Sequence, residues 1–256
     1  MKYALVQDKK STAFKGGRGK CQCCQSEMIA HCGEFMVHHW KHKSKLECDP
    51  WWENETEWHR KWKDHFPKDW QEVIHHDQSG EKHIADIKTD QGWIIEVQHS
   101  HISHEEINSR NDFYRKIIWI IDGFRLRTDY KKFYSSLIKA KHFQVKDIII
   151  ACIDSPEESK LIRNWNRHSV PVFIDFHIDN KLWLILPTNT QDIAYVAEFK
   201  KDIFIQIANK NSAQFYNIIN FLLNSIRVYH LQKSGQLKYL RVPLRTFRRG
   251  RRGPRL

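Results

Sequence analysis

Stretches in which apolar and polar positions alternate every second residue give way along the chain to stretches with a helical period, and these changes of rhythm predict most of its elements. The clearest lies between residues 81 and 98. Lys82-His83-Ile84-Ala85-Asp86-Ile87 and Trp93-Ile94-Ile95-Glu96-Val97-Gln98 are crowded with apolar residues, and Thr89-Asp90-Gln91-Gly92 between them is built of turn-forming types. The segment therefore reads as two antiparallel strands joined by a tight loop. Val73-Ile74-His75-His76 supplies a short strand before it, and an amphipathic helix is expected from about Glu53 to His65, stopped by Pro67. Ser103-His104-Glu105-Glu106 has the form of a capping box opening a helix to about Lys116, and Ile117-Ile118-Trp119-Ile120-Ile121 reads as a buried strand. The predicted order is α-β-β-β-α-β. Beyond Gly123 the pattern gives a helix from Tyr130 to Lys141, a strand from Val145 to Ala151, a hairpin of 170–176 with 181–186 about Asp179-Asn180, and a helix over 212–232 with Phe215, Ile218, Ile219, Leu222 and Ile226 on its apolar face.

Strand alternation gives the first candidate chemistry. Glu96 and Gln98 project the same way, and Asp86 can face them from the partner strand. Acids on a hairpin are ordinarily solvated rim residues, but Glu96 sits between Trp93-Ile94-Ile95 and Val97. A carboxylate in such surroundings needs a partner or a metal. Two carboxylates at a strand junction suit Mg²⁺ or Mn²⁺, with the Val97 carbonyl as a further ligand. On the preceding helix Glu55, His59 and Lys63 fall at i, i+4 and i+8 and share a face, which is either solvated or the flank of a site; Glu57 is the register alternative for the acid. Arg110 either contacts a phosphate or site carboxylate, or pairs with Glu106 four residues before it.

Cysteine usage adds a second candidate centre. Cys21, Cys23, Cys24, Cys32 and Cys48 are interleaved with His31, His38, His39 and His42. Clustered Cys and His point to structural zinc more than to disulfides in a chain whose start lacks a secretory pattern. Cys21-x-x-Cys24 makes one knuckle; His39, with His42 as the alternative, and Cys48 complete the expected set. A metal-free reduced loop is the competing reading.

Charge changes the picture mainly at one end. Lys plus Arg minus acids is 42 − 30 = +12, yet residues 203–256 hold no Asp or Glu and end in an arginine-rich run containing Arg248, Arg249, Arg251 and Arg252. Such a tail suits a polyanion, nucleic acid first, with a solubility or interaction arm as the bland alternative. No apolar run is long enough to span a membrane, and the start has no signal-peptide pattern, so the expected location is cytoplasmic. Asp147, Asp154 and Asp175 carry no motif and are read as structural. There is no internal repeat, phosphate-binding glycine loop or Gly-x-Ser-x-Gly signature.

Four short motifs then fall in an order that resembles a known family. Cys21-x-x-Cys24 with His39-Trp40-Lys41-His42, Glu55-Thr56-Glu57-Trp58-His59-Arg60-Lys61-Trp62-Lys63, Ala85-Asp86 followed by Ile95-Glu96-Val97-Gln98, and Arg110-x-x-x-Tyr114 leading to Ile118-Trp119-Ile120-Ile121 resemble the competence protein CoiA-like nucleases, a branch of the PD-(D/E)XK, or restriction endonuclease-like, superfamily. The match spans roughly residues 20–122. It implies an α/β restriction endonuclease-like core with a mixed sheet (51–195) after an N-terminal zinc-ribbon-like module (1–50), to which charge and pattern add a basic C-terminal helical segment with an Arg-rich tail (196–256). It further implies a Mg²⁺- or Mn²⁺-dependent deoxyribonuclease using Asp86, Glu96 and Gln98, with Glu55 near the metal and His59 or Lys63 near the phosphate. Gln98 stands where the superfamily usually has lysine, and the CoiA-like branch itself carries Gln there. The alternatives are a catalytically inactive zinc-containing nucleic-acid-binding protein and a zinc-scaffolded adaptor.

Overall fold

The computed structural model describes residues 1–34, 36–44, 48–51, 55–188 and 190–234. Among these the fold is mixed α/β, with two sheets and six α-helices. The chain divides into two compact units, Met1–Ile121 with Ala208–Ser212, and Asp122–Ile207 with Ala213–Leu256. No helix among the described residues is long and apolar enough to cross a membrane.

The first unit opens with five antiparallel strands that the hydrophobic pattern did not reveal: β1 (Tyr3–Val6), β2 (Lys9–Thr12), β3 (Arg18–Lys20), β4 (Glu27–His31) and β5 (His39–His42), in spatial order β2-β1-β3-β4-β5. Gln7 and Asp8 both take positive φ, which matches the twist of a two-residue hairpin turn. Met1, Ala4, Cys21, Cys23, Met28 and Trp40 form a small core of their own. Gly17 is needed there, because a Cβ would sit 2.9 Å from the Phe14 carbonyl and 3.0 Å from the Trp40 ring.

Helix α1 (Glu57–Lys63) follows, capped by Thr56, whose hydroxyl accepts the His59 amide at 3.2 Å. The helix therefore starts later than the pattern suggests, and Glu55 lies ahead of the cap rather than on the helix. Strands β6 (Gln71–His76), β7 (Lys82–Lys88) and β8 (Ile94–Gln98), helix α2 (His104–Tyr114) and strand β9 (Ile117–Asp122) complete the run. Their order is β9-β8-β7-β6, with β8 and β9 parallel and the other pairs antiparallel. The parallel pair is joined by α2, and both strands are buried on both faces, β9 through its apolar run and β8 with Glu96 and Gln98 among its buried positions. The predicted turn is present: Gly92 has φ +75° and donates to the Thr89 carbonyl at 2.9 Å. Gln91 and Thr89 are anchored on Ser212, at 2.7 Å to its amide and 2.8 Å to its hydroxyl, which steadies the β7–β8 hairpin.

The second unit contains α3 (Arg127–Lys139), β10 (Lys141–Val145), β11 (Ile148–Ile153), α4 (Lys160–Trp165), β12 (Val172–Asp175), β13 (Lys181–Ile185), β14 (Ala194–Lys200), α5 (Lys201–Asn211), whose last turn counts with the first unit, and α6 (Gln214–Lys233). The strands run antiparallel in the order β10-β11-β14-β13-β12. Two expectations are corrected here. The single strand expected over 145–151 is broken by a turn at Lys146, whose φ is +50°, so that Val145 and Ile148 face each other across a hairpin. Residues 196–200, expected in a C-terminal helical segment, are strand. The helix expected over 212–232 is α6, with Phe215, Ile219, Leu222 and Ile226 buried.

Candidate active site and metal centre

Register brings three carboxylates into one row. The pairs Gln71↔Ile87 and Val73↔Ala85 bracket Glu72 and Asp86, which places Glu72 opposite Asp86. Ile87↔Ile95 and Lys88↔Ile94, continued by one step, place Asp86 opposite Glu96. Residues directly opposite in an antiparallel pair share a face. The main-chain ladder between β7 and β8 ends at Ile87↔Ile95, and just beyond it the side chains take over the amides. Asp86 N–H donates to Glu96 Oε1 at 3.2 Å, and Val97 N–H donates to Asp86 Oδ2 at 3.0 Å. The N–H and C=O of one strand residue point the same way, so the Val97 carbonyl also faces the Asp86 side. Glu72 was not singled out from the sequence; only the register of β6 against β7 discloses it. Its φ of +49° turns the backbone so that the carboxylate accepts the Lys2 amide at 2.6 Å and the Tyr3 amide at 2.9 Å.

Helix α1 lays two basic side chains over this row. His59 Nε2 lies 2.9 Å from Asp86 Oδ1, and His59 Nδ1 is buried with no hydrogen-bond partner among the described residues. Lys63 Nζ contacts Glu55 Oε1, reaches Glu72 Oε1 at 2.9 Å and lies 3.6 Å from Asp86 Oδ1. Glu55 is held further by Arg60 at 3.2 Å. Glu57, the register alternative, is exposed and pairs with Lys61, so Glu55 is the acid that enters the site. From α2, Arg110 does both things its position allows: Nη1 donates to Glu96 Oε2 at 2.9 Å, and Nε to Glu106 Oε1 at 3.1 Å. Glu55, His59, Lys63, Glu72, Asp86, Glu96 and Arg110 line one cavity of about 40 Å³. Gln98 is buried and turns to Ser100, donating to its carbonyl at 3.2 Å, and it does not line the cavity.

The charges are strongly coupled. Burial alone would raise the Asp86 carboxyl, but His59 and Lys63 hold it down at about 2. Burial also opposes ionisation of Glu55 and Glu72, and the Lys63 charge overrides it and lowers both. At His59 burial favours the neutral ring, while Asp86 favours the cation and prevails, so its pKa is raised. Glu96 goes the other way: burial and the neighbouring Asp86 charge raise it to about 7 against the pull of Arg110. A carboxyl whose folded pKa exceeds its ordinary value of 4.5 keeps its proton longer in the folded state, so its contribution to stability declines as pH rises from about 4.5 to about 7 and is flat above. The stability of β7 and β8, read by amide hydrogen exchange in urea, should therefore fall across that window relative to a Glu96→Gln variant. Parallel pH profiles would show that Glu96 is not the titrating group.

The second cluster lies at the edge of the N-terminal sheet. Cys21, Cys24, His42 and Cys48 bring one ligand atom each to within 4.8 Å of one another. Cys21 Sγ and Cys48 Sγ are 3.6 Å apart and Cys24 Sγ is 3.3 Å from His42 Nε2. Two thiolates on a tetrahedral zinc, each about 2.3 Å from the ion, would be separated by about 3.8 Å, so the spacing fits. The knuckle is tight: Gln25 N–H donates to the Cys21 carbonyl at 3.0 Å, Cys23 N–H donates to Cys21 Sγ at 3.3 Å, and Gln25 has φ +63°. Burial pushes the Cys21 and Cys48 thiols up; at Cys24 burial is outweighed by hydrogen bonds from Ser26, and the thiol falls to about 6. The cluster could hold a zinc ion.

His39 is the corrected member of the expected set. Residues three apart on a strand face opposite sides, so His39 and His42 cannot both look at the knuckle. In β5 His42 shares the side of buried Trp40 and pairs with Met28, whereas His39 pairs with His31, stacks on it and directs Nδ1 to the Val37 carbonyl at 2.9 Å. The expected nucleic-acid contacts Arg248, Arg249, Arg251 and Arg252 lie outside the described residues. No protein-family model, curated protein or solved structure matches the chain.

Proposed function

We propose that the chain is a divalent-metal-dependent nuclease acting on DNA, of the CoiA-like type within the restriction endonuclease-like superfamily. The observation that carries this reading is convergence. Motifs separated by up to 55 residues in sequence, Glu55, His59 and Lys63, then Asp86 and Glu96, then Arg110, line one cavity. The α-β-β-β-α-β order of α1, β6, β7, β8, α2 and β9 agrees with it.

Asp86 and Glu96 would hold Mg²⁺ or Mn²⁺. Their donor chemistry fits, since hard cations prefer carboxylate oxygens and each of these oxygens keeps a lone pair beyond its present hydrogen bond. When bound, such an ion would neutralise charge on a phosphodiester and acidify a water. The chain's own groups arrange the rest. Arg110 and the Asp86 amide fix Glu96, and the Val97 amide fixes Asp86. His59, beside Asp86, can hold or pass a proton there. Lys63 has a different role from the one the resemblance suggests: at 1% side-chain exposure and enclosed by carboxylates, it cannot reach a phosphate and acts as a fixed internal charge. The Asp86 side chain, 18% exposed, marks the side from which a phosphate would approach.

One observation favours the inactive alternative: Asp86 and Glu96 each already have a cationic partner, Lys63 at 3.6 Å and Arg110 at 2.9 Å. Cleavage decides between the two. Purified protein is expected to cut labelled linear or circular DNA, single- or double-stranded, with Mg²⁺ or Mn²⁺ but not with EDTA, and Glu96→Ala should lose at least 100-fold, the order of a lost metal ligand or transition-state contact. Salt-sensitive DNA binding without cutting, by both proteins, would support the binding module instead.

A further inference from the structure

The chain segment that leaves the Cys/His cluster leads directly to the carboxylate row. Asp49 follows Cys48, and its carboxylate is buried with three partners. Oδ2 accepts the Ile84 amide at 2.7 Å; Oδ1 accepts the Trp51 amide at 3.0 Å and lies 2.9 Å from His83 Nδ1. Ile84 is two residues before Asp86 on β7. The Trp51 carbonyl in turn accepts Arg110 Nη2 at 2.8 Å, while Arg110 Nη1 holds Glu96 Oε2 at 2.9 Å. The Trp51 ring stacks on His83, and the Arg110 guanidinium carbon lies 5.4 Å from its centroid. A second tie runs from the knuckle itself, where the Cys23 carbonyl accepts Lys82 Nζ at 2.9 Å at the start of β7.

We infer that Asp49 is a positioning residue that couples the zinc cluster to the carboxylate pair, through the Trp51 carbonyl and Arg110. The inference rests on the reading that Asp86 and Glu96 hold a divalent cation. A guanidinium is a rigid planar fork, so its direction is set by whichever acceptors surround it. Around Arg110 these are Glu106, the Trp51 carbonyl and Glu96. Glu106 is on the same helix and moves with Arg110, which leaves Trp51 as the acceptor that orients the fork against β8. Trp51 is held by Asp49, and Asp49 is one peptide bond from Cys48. Closing four ligands on zinc therefore fixes the angle from which Arg110 holds Glu96. Groups that orient metal ligands from behind commonly change metal affinity 10- to 100-fold when removed.

The full chain, zinc-loaded, is compared with Asp49→Asn and Asp49→Ala by zinc content, by the Arg110 Nη–H resonance, which reports the bond to the Trp51 carbonyl, and by Mn²⁺ binding. The Asn variant keeps an oxygen for one of the two amides and turns an NH2 group to the other, and so removes only part of the hold. The expected result is retained zinc in both variants, an Arg110 resonance that loses its protection from solvent exchange, and Mn²⁺ affinity about 10- to 100-fold weaker in Asp49→Ala with Asp49→Asn between it and the wild type. Unchanged resonance and unchanged Mn²⁺ affinity in zinc-loaded Asp49→Ala would overturn the coupling. So would loss of zinc or general unfolding in both variants, which would make Asp49 a structural residue only. If the wild type bound no Mn²⁺, the nuclease reading would fall, and the Arg110 resonance alone would still decide whether Asp49 positions it.

Discussion

Replacing Lys63 with methionine should destabilise the first unit by about 3 to 5 kcal/mol, the cost of removing one partner from a buried ion cluster. The side chain is 1% exposed and is the cation shared by Glu55, Glu72 and Asp86. Methionine replaces the aliphatic stem, so the loss isolates the charge. Without it, Glu55 and Glu72 would lie buried with less than the compensation they need, and each would tend to take up a proton. The deficit should therefore be largest at neutral pH and shrink as pH falls toward 5. Adding Glu72→Gln should recover part of it, because a neutral amide no longer requires the missing cation, and a double-mutant cycle would give the coupling. A chain with two compact units need not unfold in one step, so the measurement is hydrogen exchange of β7 and β8 amides in urea rather than a single global transition. A loss below about 1 kcal/mol at pH 7 would mean that water, not Lys63, solvates these carboxylates in solution.

This cluster also shows which parts of the site were legible in the sequence. Asp86 and Glu96 could be paired because a two-residue period and a recognisable turn fix register over a short hairpin. His59 and Lys63 could be placed together by helical spacing. Glu55 arrived at the same place by another route, from the extended chain before Thr56, so its four-residue offset from His59 was an accident of position rather than a helical one. Glu72 was invisible to spacing. Its role depends on a left-handed backbone at a non-glycine residue and on amides of Lys2 and Tyr3 some 70 positions away, and local pattern carries neither.

The five N-terminal strands were missed for a related reason. They are 3 to 5 residues long and polar at many positions, so no hydrophobic period develops, and their core is assembled from Met28 on β4, Trp40 on β5 and Cys21 and Cys23 in the turn between β3 and β4. In the second unit, the β10–β11 turn falls on Lys146-Asp147, which carries none of the glycine that usually announces such a turn. The choice of His39 over His42 failed on geometry of the opposite kind. Spacing from Cys24 admits either residue, and only the face presented by β5 separates them.

That face gives the second large effect. His42→Ala should lose zinc and destabilise the N-terminal sheet, whereas His39→Ala should keep one zinc per chain and near-wild-type stability. Among the described residues the core cluster of this sheet has six buried side chains, with Ile74 and Ile84 of the neighbouring strands packed against it, a small core for five short strands. Closing a structural zinc site in a small fold contributes on the order of 10 kcal/mol at neutral pH, so removal of the metal should cost far more than any single contact in this region. Zinc analysis of the purified protein, followed by stripping with a strong chelator, provides the test. On stripping, β3, β4 and β5 should lose amide protection first, since Cys21 and Cys24 follow β3, His42 ends β5, and the turn joining β3 to β4 is the knuckle itself. Protection of β8 and β9, whose side chains are buried within the other sheet, should persist longer. Thiolate ligation also makes the loss acid-sensitive, because Cys21, Cys24 and Cys48 must shed protons to bind and regain them on release. A protein purified without zinc whose β3–β5 amides are unaffected by chelator would leave the four residues as a reduced cluster. Loss of zinc in His39→Ala but not in His42→Ala would reverse the assignment made from the strand face.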